Sequence, residues 1–160
     1  MPTGQVPALE YNGEFICQSN AIVRFLAREF NLAGKNNLEQ GKIDMILDTI
    51  SEAVEKYIPD MFEKDEAKKK ELHDKYMADV FPNFVATMES FVVKNGGNFL
   101  VGSDVTVADI YIMHIMMALS ARAWGEEWKG KAPTLAKLVE KIQNLPNIKK
   151  WIETRPKTEA

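Results

Sequence analysis

Residues 4–19 read Gly-Gln-Val-Pro-Ala-Leu-Glu-Tyr-Asn-Gly-Glu-Phe-Ile-Cys-Gln-Ser and form the most informative stretch of the chain. At its centre, Asn12-Gly13 is a two-residue hairpin signal, because both residues tolerate the positive φ that such turns require. We therefore predict two antiparallel strands, at residues 6–11 and 14–17. A lone hairpin is barely stable in water, so these strands are expected to need further packing partners.

Beyond the hairpin, the apolar residues recur with helical spacing. From Ser19 onward they fall on one helix face, whereas residues 31–40, with Gly34 and several asparagines, indicate a linker. The rest of the chain predicts about five helices, since its apolar residues recur in steps of three and four. Pro82 lies inside the second pattern and is expected to kink a helix or to mark a boundary. The two longest stripes are Ile43, Leu47, Ile50, Val54, Tyr57 and Ile58, and Leu72, Tyr76, Val80, Phe84, Met88 and Phe91.

The composition excludes several classes of function. The 160 residues carry 20 Lys and Arg against 23 Asp and Glu, and this net charge of −3 is unlike the basic surface of a nucleic-acid-binding protein. The sequence has neither a polybasic segment nor an apolar run of bilayer length, so no membrane attachment is expected. A single cysteine, Cys17, favours a reducing compartment such as the cytoplasm. With two histidines besides, a metal site built by the protein is not expected.

Two short motifs flank the hairpin and carry the possible chemistry. If the Val6–Pro7 bond is cis, the backbone of Val6 is free to pair with an extended peptide ligand, although a strand-initiating proline is the favoured interpretation on physical grounds alone. Ser19 is a natural helix N-cap, and such caps are common. The helix start could also hold a carboxylate, with the Ser19 hydroxyl and the Gln18 amide completing the site.

In combination, these motifs resemble cytosolic glutathione transferases. The pattern is Pro-x-Gly-Gln-Val-Pro-x-Leu at residues 2–9, Asn-Gly, Gln-Ser-x-Ala-Ile-x-Arg-Phe-Leu-Ala-Arg at residues 18–28, and then Leu-Ala-Gly. It is most similar to the sigma class, which includes the glutathione-dependent prostaglandin D synthases. The similarity covers essentially the whole chain and continues in residues 43–50, 99–102, 105–109, 145–148 and 151–156.

The resemblance implies a mainly α protein of two parts. Residues 1–32 correspond to a partial thioredoxin-like, glutathione-binding domain, residues 33–40 to a linker, and residues 41–160 to an all-helical C-terminal domain, usually in a homodimer. The family begins with a strand, a helix and a second strand that this sequence lacks. Its catalytic tyrosine ends that first strand, so no residue of this chain is assigned as catalytic. We expect the chain to be truncated and nearly inactive alone.

The resemblance also implies how glutathione, the co-substrate, is held. Val6, before the cis-proline Pro7, is expected to pair its backbone with the cysteinyl part of glutathione, with Gln5 beside it. Gln18 and Ser19 are expected to hold the γ-glutamyl carboxylate at the helix start.

A carboxylate of the partner subunit often meets the γ-glutamyl amino group in the family, and Glu52 matches that position. Relatives often carry Asp there, and some carry a second acid where Ser51 stands. These departures count against a divalent-ion site built around Asp48, and no metal is expected. The wall of a pocket for a small hydrophobic electrophile is expected to include Val54, Ile58 and Tyr111, which the helical pattern equally allows as core residues.

Three interpretations of function remain open. The chain is part of a transferase that conjugates glutathione to electrophiles or isomerises a prostanoid-like substrate; or a non-catalytic scaffold or ligand-binding protein of this fold, as lens crystallins are; or a naturally short product that folds through partner contacts. The matching residues Gln5, Pro7, Gln18 and Ser19 favour the first.

Four further residues are expected to be structural. Thr106 and Asp109 have the spacing of a capping box at the start of a helix. His114, on an apolar helix, is expected in the core, and His73, within a run of charged residues, is expected to be exposed.

Overall fold

The computed structural model describes residues 3–156 and confirms the predicted hairpin. Strands β1 (Ala8–Tyr11) and β2 (Glu14–Cys17) pair antiparallel, and the turn residues Asn12 and Gly13 have φ values of 52° and 84°. The first strand begins two residues later than predicted, after Pro7, whose nitrogen has no hydrogen to donate to a strand ladder.

The rest of the described chain is helical. Its helices are α1 (Ser19–Glu29), α2 (Asn37–Phe62), α3 (Glu66–Asp79), α4 (Phe81–Lys94), α5 (Val107–Leu119), α6 (Trp128–Lys131), α7 (Pro133–Gln143) and α8 (Pro146–Thr154). A π-helical turn, Ser120–Trp124, follows α5 directly. No helix within residues 3–156 has the length and apolar content that crossing a membrane requires.

Two boundaries between elements refine the sequence prediction. The linker predicted at residues 31–40 is shorter, because the Asn36 side chain caps α2 by accepting a 3.0 Å hydrogen bond from the Glu39 N–H. Pro82 marks a boundary as expected, since it lies in the first turn of α4, where its missing N–H is tolerated. One predicted stripe therefore belongs to two helices, α3 and α4.

Helix α5 lies at the centre of the helical part and packs against α2 and α7. Its start is the predicted capping box of Thr106 and Asp109, which is confirmed. The Asp109 carboxylate is fully buried and accepts 2.8 Å hydrogen bonds from the N–H groups of Thr106 and Leu100. The box therefore also fixes the loop that enters α5.

The predictions for the two histidines were wrong. His114 is exposed rather than in the core, because it faces an open groove between α5 and α8. His73 is only half-exposed, because its ring bonds to the buried carboxylate of Asp60. Helical spacing locates a face of a helix, but it cannot show which neighbour covers that face.

Candidate functional site

The strand register brings the two motifs of the hairpin to one end. Ala8 pairs with Cys17, so Pro7, which precedes Ala8, and Gln18, which follows Cys17, leave the ladder side by side. Directly opposed residues in such a ladder have Cβ atoms about 5 Å apart. One ligand can therefore contact both the Val6–Pro7 backbone and the beginning of α1.

Val6 presents an unused backbone at this end. The Val6–Pro7 peptide bond is cis, and Val6 is 80% exposed. Within residues 3–156, neither the N–H nor the C=O of Val6 has a hydrogen-bond partner. Gln5 and Pro7 are also exposed, so the whole segment is open to a ligand.

The beginning of α1 differs from the expected cap. Ser19 is the first helical residue, and the N-cap is Gln18, which has a φ of 74° and makes no capping bond with its side chain. The carbonyl of Gln18 accepts the first helical hydrogen bond, 3.0 Å from the Ile22 nitrogen. A positive φ at a non-glycine residue is costly and concentrates at functional sites. The N–H groups of the first turn, beginning at Ser19, have no partner within the helix and can receive an anion.

Polar contacts that the sequence analysis did not identify fix α1 on α2. Arg24 Nε donates to Asp44 Oδ1 at 2.5 Å, and Arg24 Nη2 donates to Asp48 Oδ1 at the same distance. Asn20 Nδ2 donates to Ser51 Oγ at 2.9 Å. Asn20 and Arg24 are four residues apart, as are Asp44 and Asp48, so each pair shares a helix face. That spacing is the signal that could have identified them.

Asp48 is therefore engaged by a guanidinium in this structure. Among residues 3–156, no three His, Cys, Asp or Glu side chains are placed together to hold a metal ion.

Glu52 lies on α2, on its exposed side. Its carboxylate accepts a 2.6 Å ion-pair bond from Lys56 Nζ, which lowers the pKa of Glu52. Its hydrogen bonds within the described chain include none to Gln18 or Ser19. Apart from this ion pair, the Glu52 carboxylate is open to solvent.

The residues expected to line the electrophile pocket lie on two helices in contact. Val54 on α2 and Tyr111 on α5 are half-buried against the core, whereas Ile58 is 42% exposed. Ile58 therefore departs from the buried stripe in which the helical pattern placed it.

None of the four tyrosines of the chain stands beside Val6 and Gln18. Tyr11 lies at the turn end of the hairpin and donates a 2.8 Å hydrogen bond to Glu29. Tyr57 and Tyr76 are buried, and burial raises the pKa of both hydroxyls. Tyr111 packs against the core.

Two family models match this chain. The one described as the C-terminal domain of glutathione S-transferase covers residues 51–155, and the one described as the N-terminal domain covers residues 1–28. Together they include the hairpin motifs and the helical part from residue 51 onward.

Individual relatives agree with the family models. The chain is 34% identical to glutathione S-transferase 1 of Ascaris suum, over 98% of this chain and 77% of the relative. It matches the structure of prostaglandin synthase D of Nilaparvata lugens with a TM-score of 0.88 and 34% identity, over 98% of this chain and 77% of that one. It matches a monomeric glutathione S-transferase of the hookworm Necator americanus with a TM-score of 0.87 and 30% identity, over 100% of this chain and 78% of that one.

Proposed function

Because this chain belongs to the glutathione S-transferase family, we propose that its hairpin and the beginning of α1 hold glutathione for transfer to small hydrophobic electrophiles. Glutathione is the co-substrate of this family. The observation that carries the proposal is the Ala8–Cys17 pairing, which sets the free Val6 backbone beside the start of α1.

Each end of glutathione has matching groups in this arrangement. The free N–H and C=O of Val6 pair with the backbone of the cysteinyl residue, as an added strand pairs with a sheet edge, and Gln5 flanks it. The γ-glutamyl carboxylate accepts hydrogen bonds from the first N–H groups of α1 and from the side chains of Ser19 and Gln18. The positive end of the helix dipole adds to its binding.

The division of the chain follows from the same proposal. Residues 1–32 are assigned to the glutathione-binding part, residues 33–40 to the connection, in which the first turn of α2 already lies, and residues 41–160 to the helical domain. The electrophile occupies the space between the two parts, against Val54, Ile58 and Tyr111. The similarity to a prostaglandin synthase supports a prostanoid as a second candidate substrate.

A homodimer completes the binding site in this proposal. Glu52 of one subunit meets the γ-glutamyl amino group held by the other, which agrees with its exposed position. The monomeric hookworm structure shows that a relative of this fold is also found without a second subunit.

The 160-residue chain assayed alone has little activity in this proposal. A free thiol of pKa near 8.5 is mostly protonated at neutral pH, so conjugation needs a group that stabilises the thiolate. Tyr11 is bonded to Glu29, and Tyr57 and Tyr76 are buried, whereas Tyr111 belongs to the proposed electrophile pocket.

Titration calorimetry with glutathione tests the binding site. Gln18→Ala and Ser19→Ala should each raise the dissociation constant at least about tenfold, because one hydrogen bond to a charged group contributes about 1.5–3 kcal/mol. Ser103→Ala is the matched control, because Ser103 is an exposed serine in the loop before α5. Equal affinities of all four proteins would refute the proposal. Conjugation of an aromatic halide by the chain, well above the spontaneous rate, would refute only the low activity.

A further inference from the structure

A cavity lies at the C-terminal end of α2. It is formed by the last turns of α2, the first half of α3 and the π-helical turn, and its volume is about 460 Å³. At 1.5 Å of rise per residue, Asp60 lies about 18 Å along α2 from Asp48. None of the residues that line this cavity, called the distal cavity below, belongs to the hairpin or to α1, which form the proposed glutathione site.

A buried carboxylate orients a histidine at the wall of this cavity. Asp60 is 3% exposed, and its Oδ2 lies 2.9 Å from His73 Nδ1. Since a carboxylate accepts, Nδ1 carries the hydrogen of this bond, and Nε2 is left for another partner. Burial, and then the neighbouring Asp60 carboxylate, raise the pKa of Tyr57 to about 12, so this hydroxyl keeps its proton.

Positively charged side chains border the rest of the distal cavity. Lys69, Lys70 and Arg122 line it. Within residues 3–156, Lys69 and Arg122 form no ion pair, whereas Lys70 pairs with Asp74. Arg122 is exposed and lies at the rim of the cavity.

The charged groups that line the distal cavity favour an anionic ligand. The acidic groups of the lining are Asp60, which is occupied by His73, and Glu66 on the first turn of α3. The free donors are the guanidinium of Arg122 and the ammonium of Lys69. Such a set matches the several oxygens of a phosphate group, because Arg binds two of them at once and Lys adds a point charge.

We propose that the distal cavity binds a phosphate group, either as free phosphate or carried by a small metabolite. The phosphate lies between Arg122 and Lys69, whose charged groups donate hydrogen bonds to its oxygens, and beside the ring of His73, whose orientation Asp60 fixes. No step of glutathione transfer depends on it.

Proton NMR of the histidine rings during titration with inorganic phosphate tests this proposal. The chain has only two histidines, so His114, on another face, is an internal control. The ring signals of His73 should shift along a saturable curve while those of His114 stay in place. No saturable shift at His73, or equal shifts of both rings, would overturn the proposal.

Variants locate the phosphate more sharply. Lys69→Gln combined with Arg122→Gln should weaken phosphate binding at least about tenfold. Lys75→Gln is the matched control, because Lys75 is exposed on α3 and outside the cavity. Equal weakening by the control would indicate diffuse surface attraction and refute the site. Since these residues are exposed or half-buried, circular dichroism should show an unchanged fold.

Two further measurements compare phosphate ligands and test competition with glutathione. Glycerol phosphate binding at least as tightly as inorganic phosphate would support a phosphorylated metabolite, and the reverse order would support free phosphate. Saturating glutathione should leave the phosphate affinity unchanged, and direct competition between the two ligands would contradict a separate site.

Discussion

Arg24 of α1 and Asp44 of α2 are joined by a 2.5 Å ion pair between Nε and Oδ1. The same guanidinium reaches Asp48 one turn further along α2. One side chain thus links the helix that begins at Ser19 to the first helix of the helical domain. Because the side chain of Arg24 is only 26% exposed, solvent screens this contact less than a surface pair.

Arg24→Gln should therefore lower the free energy of unfolding by about 1 kcal/mol, as for a partly exposed ion pair. It should also weaken glutathione binding, since the start of α1 loses its support. Urea denaturation and calorimetry measure the two effects. Arg28→Gln is the control, because Arg28 is an exposed arginine of the same helix that forms no ion pair within residues 3–156. An identical loss in both variants would exclude a specific role for Arg24.

Glu52→Gln should weaken glutathione binding without lowering stability, because this carboxylate is exposed and is proposed to act in the site of a partner subunit. Lys56→Gln should have the opposite effect on affinity, since Lys56 competes for the same carboxylate. Glu55→Gln, also exposed on α2, is the control. Calorimetry together with sedimentation velocity gives affinity and oligomeric state. A Glu52 effect that persists in a monomer would contradict a site shared between subunits.

Asp109→Ala should lower the free energy of unfolding by about 3 kcal/mol, because it leaves two buried backbone N–H groups without acceptors. Asp104→Ala, an exposed aspartate of the preceding loop, should cost far less. Thermal and urea denaturation distinguish the two variants. A small loss at Asp109 would mean that water or a neighbouring group replaces the carboxylate.

Glu63 makes the stability depend on pH. Its carboxylate accepts bonds from Lys68 and from the N–H groups of Asp65 and Lys64, and these lower its pKa from 4.5 to about 2. Since the folded-state pKa is depressed, its contribution to stability is present above pH 4.5 and is lost as the pH falls towards 2. Glu63→Gln should flatten the acid limb of the stability curve, whereas Glu71→Gln on α3 should not. Parallel curves for wild type and Glu63→Gln would contradict this assignment.

Local patterns predicted most of the fold. The Asn12-Gly13 turn, the boundary at Pro82 and the Thr106–Asp109 box each depend on residues close in sequence, and each is confirmed. Such signals act through backbone geometry, which a few neighbouring residues determine.

Contacts between distant elements could not be predicted in the same way. The bonds of Asn20 and Arg24 to α2 join residues that are 31 and 20 positions apart, and the bond between His73 and Asp60 joins residues 13 positions apart on two helices. The apolar stripe of α2 predicted that Ile58 is buried, but its side chain is 42% exposed in the structure. Tertiary packing decides burial at such positions, whereas sequence periodicity gives only the face.

Amide shift mapping during a glutathione titration tests the central claim most directly. If glutathione binds between the hairpin and α1, the largest ¹⁵N–¹H shifts should occur at Val6, Gln18 and Ser19, and they should follow one saturable curve. The amide signals of the distal cavity residues Lys69 and Arg122 should not shift. Largest shifts at those two residues, or no saturable shift at the start of α1, would contradict the account.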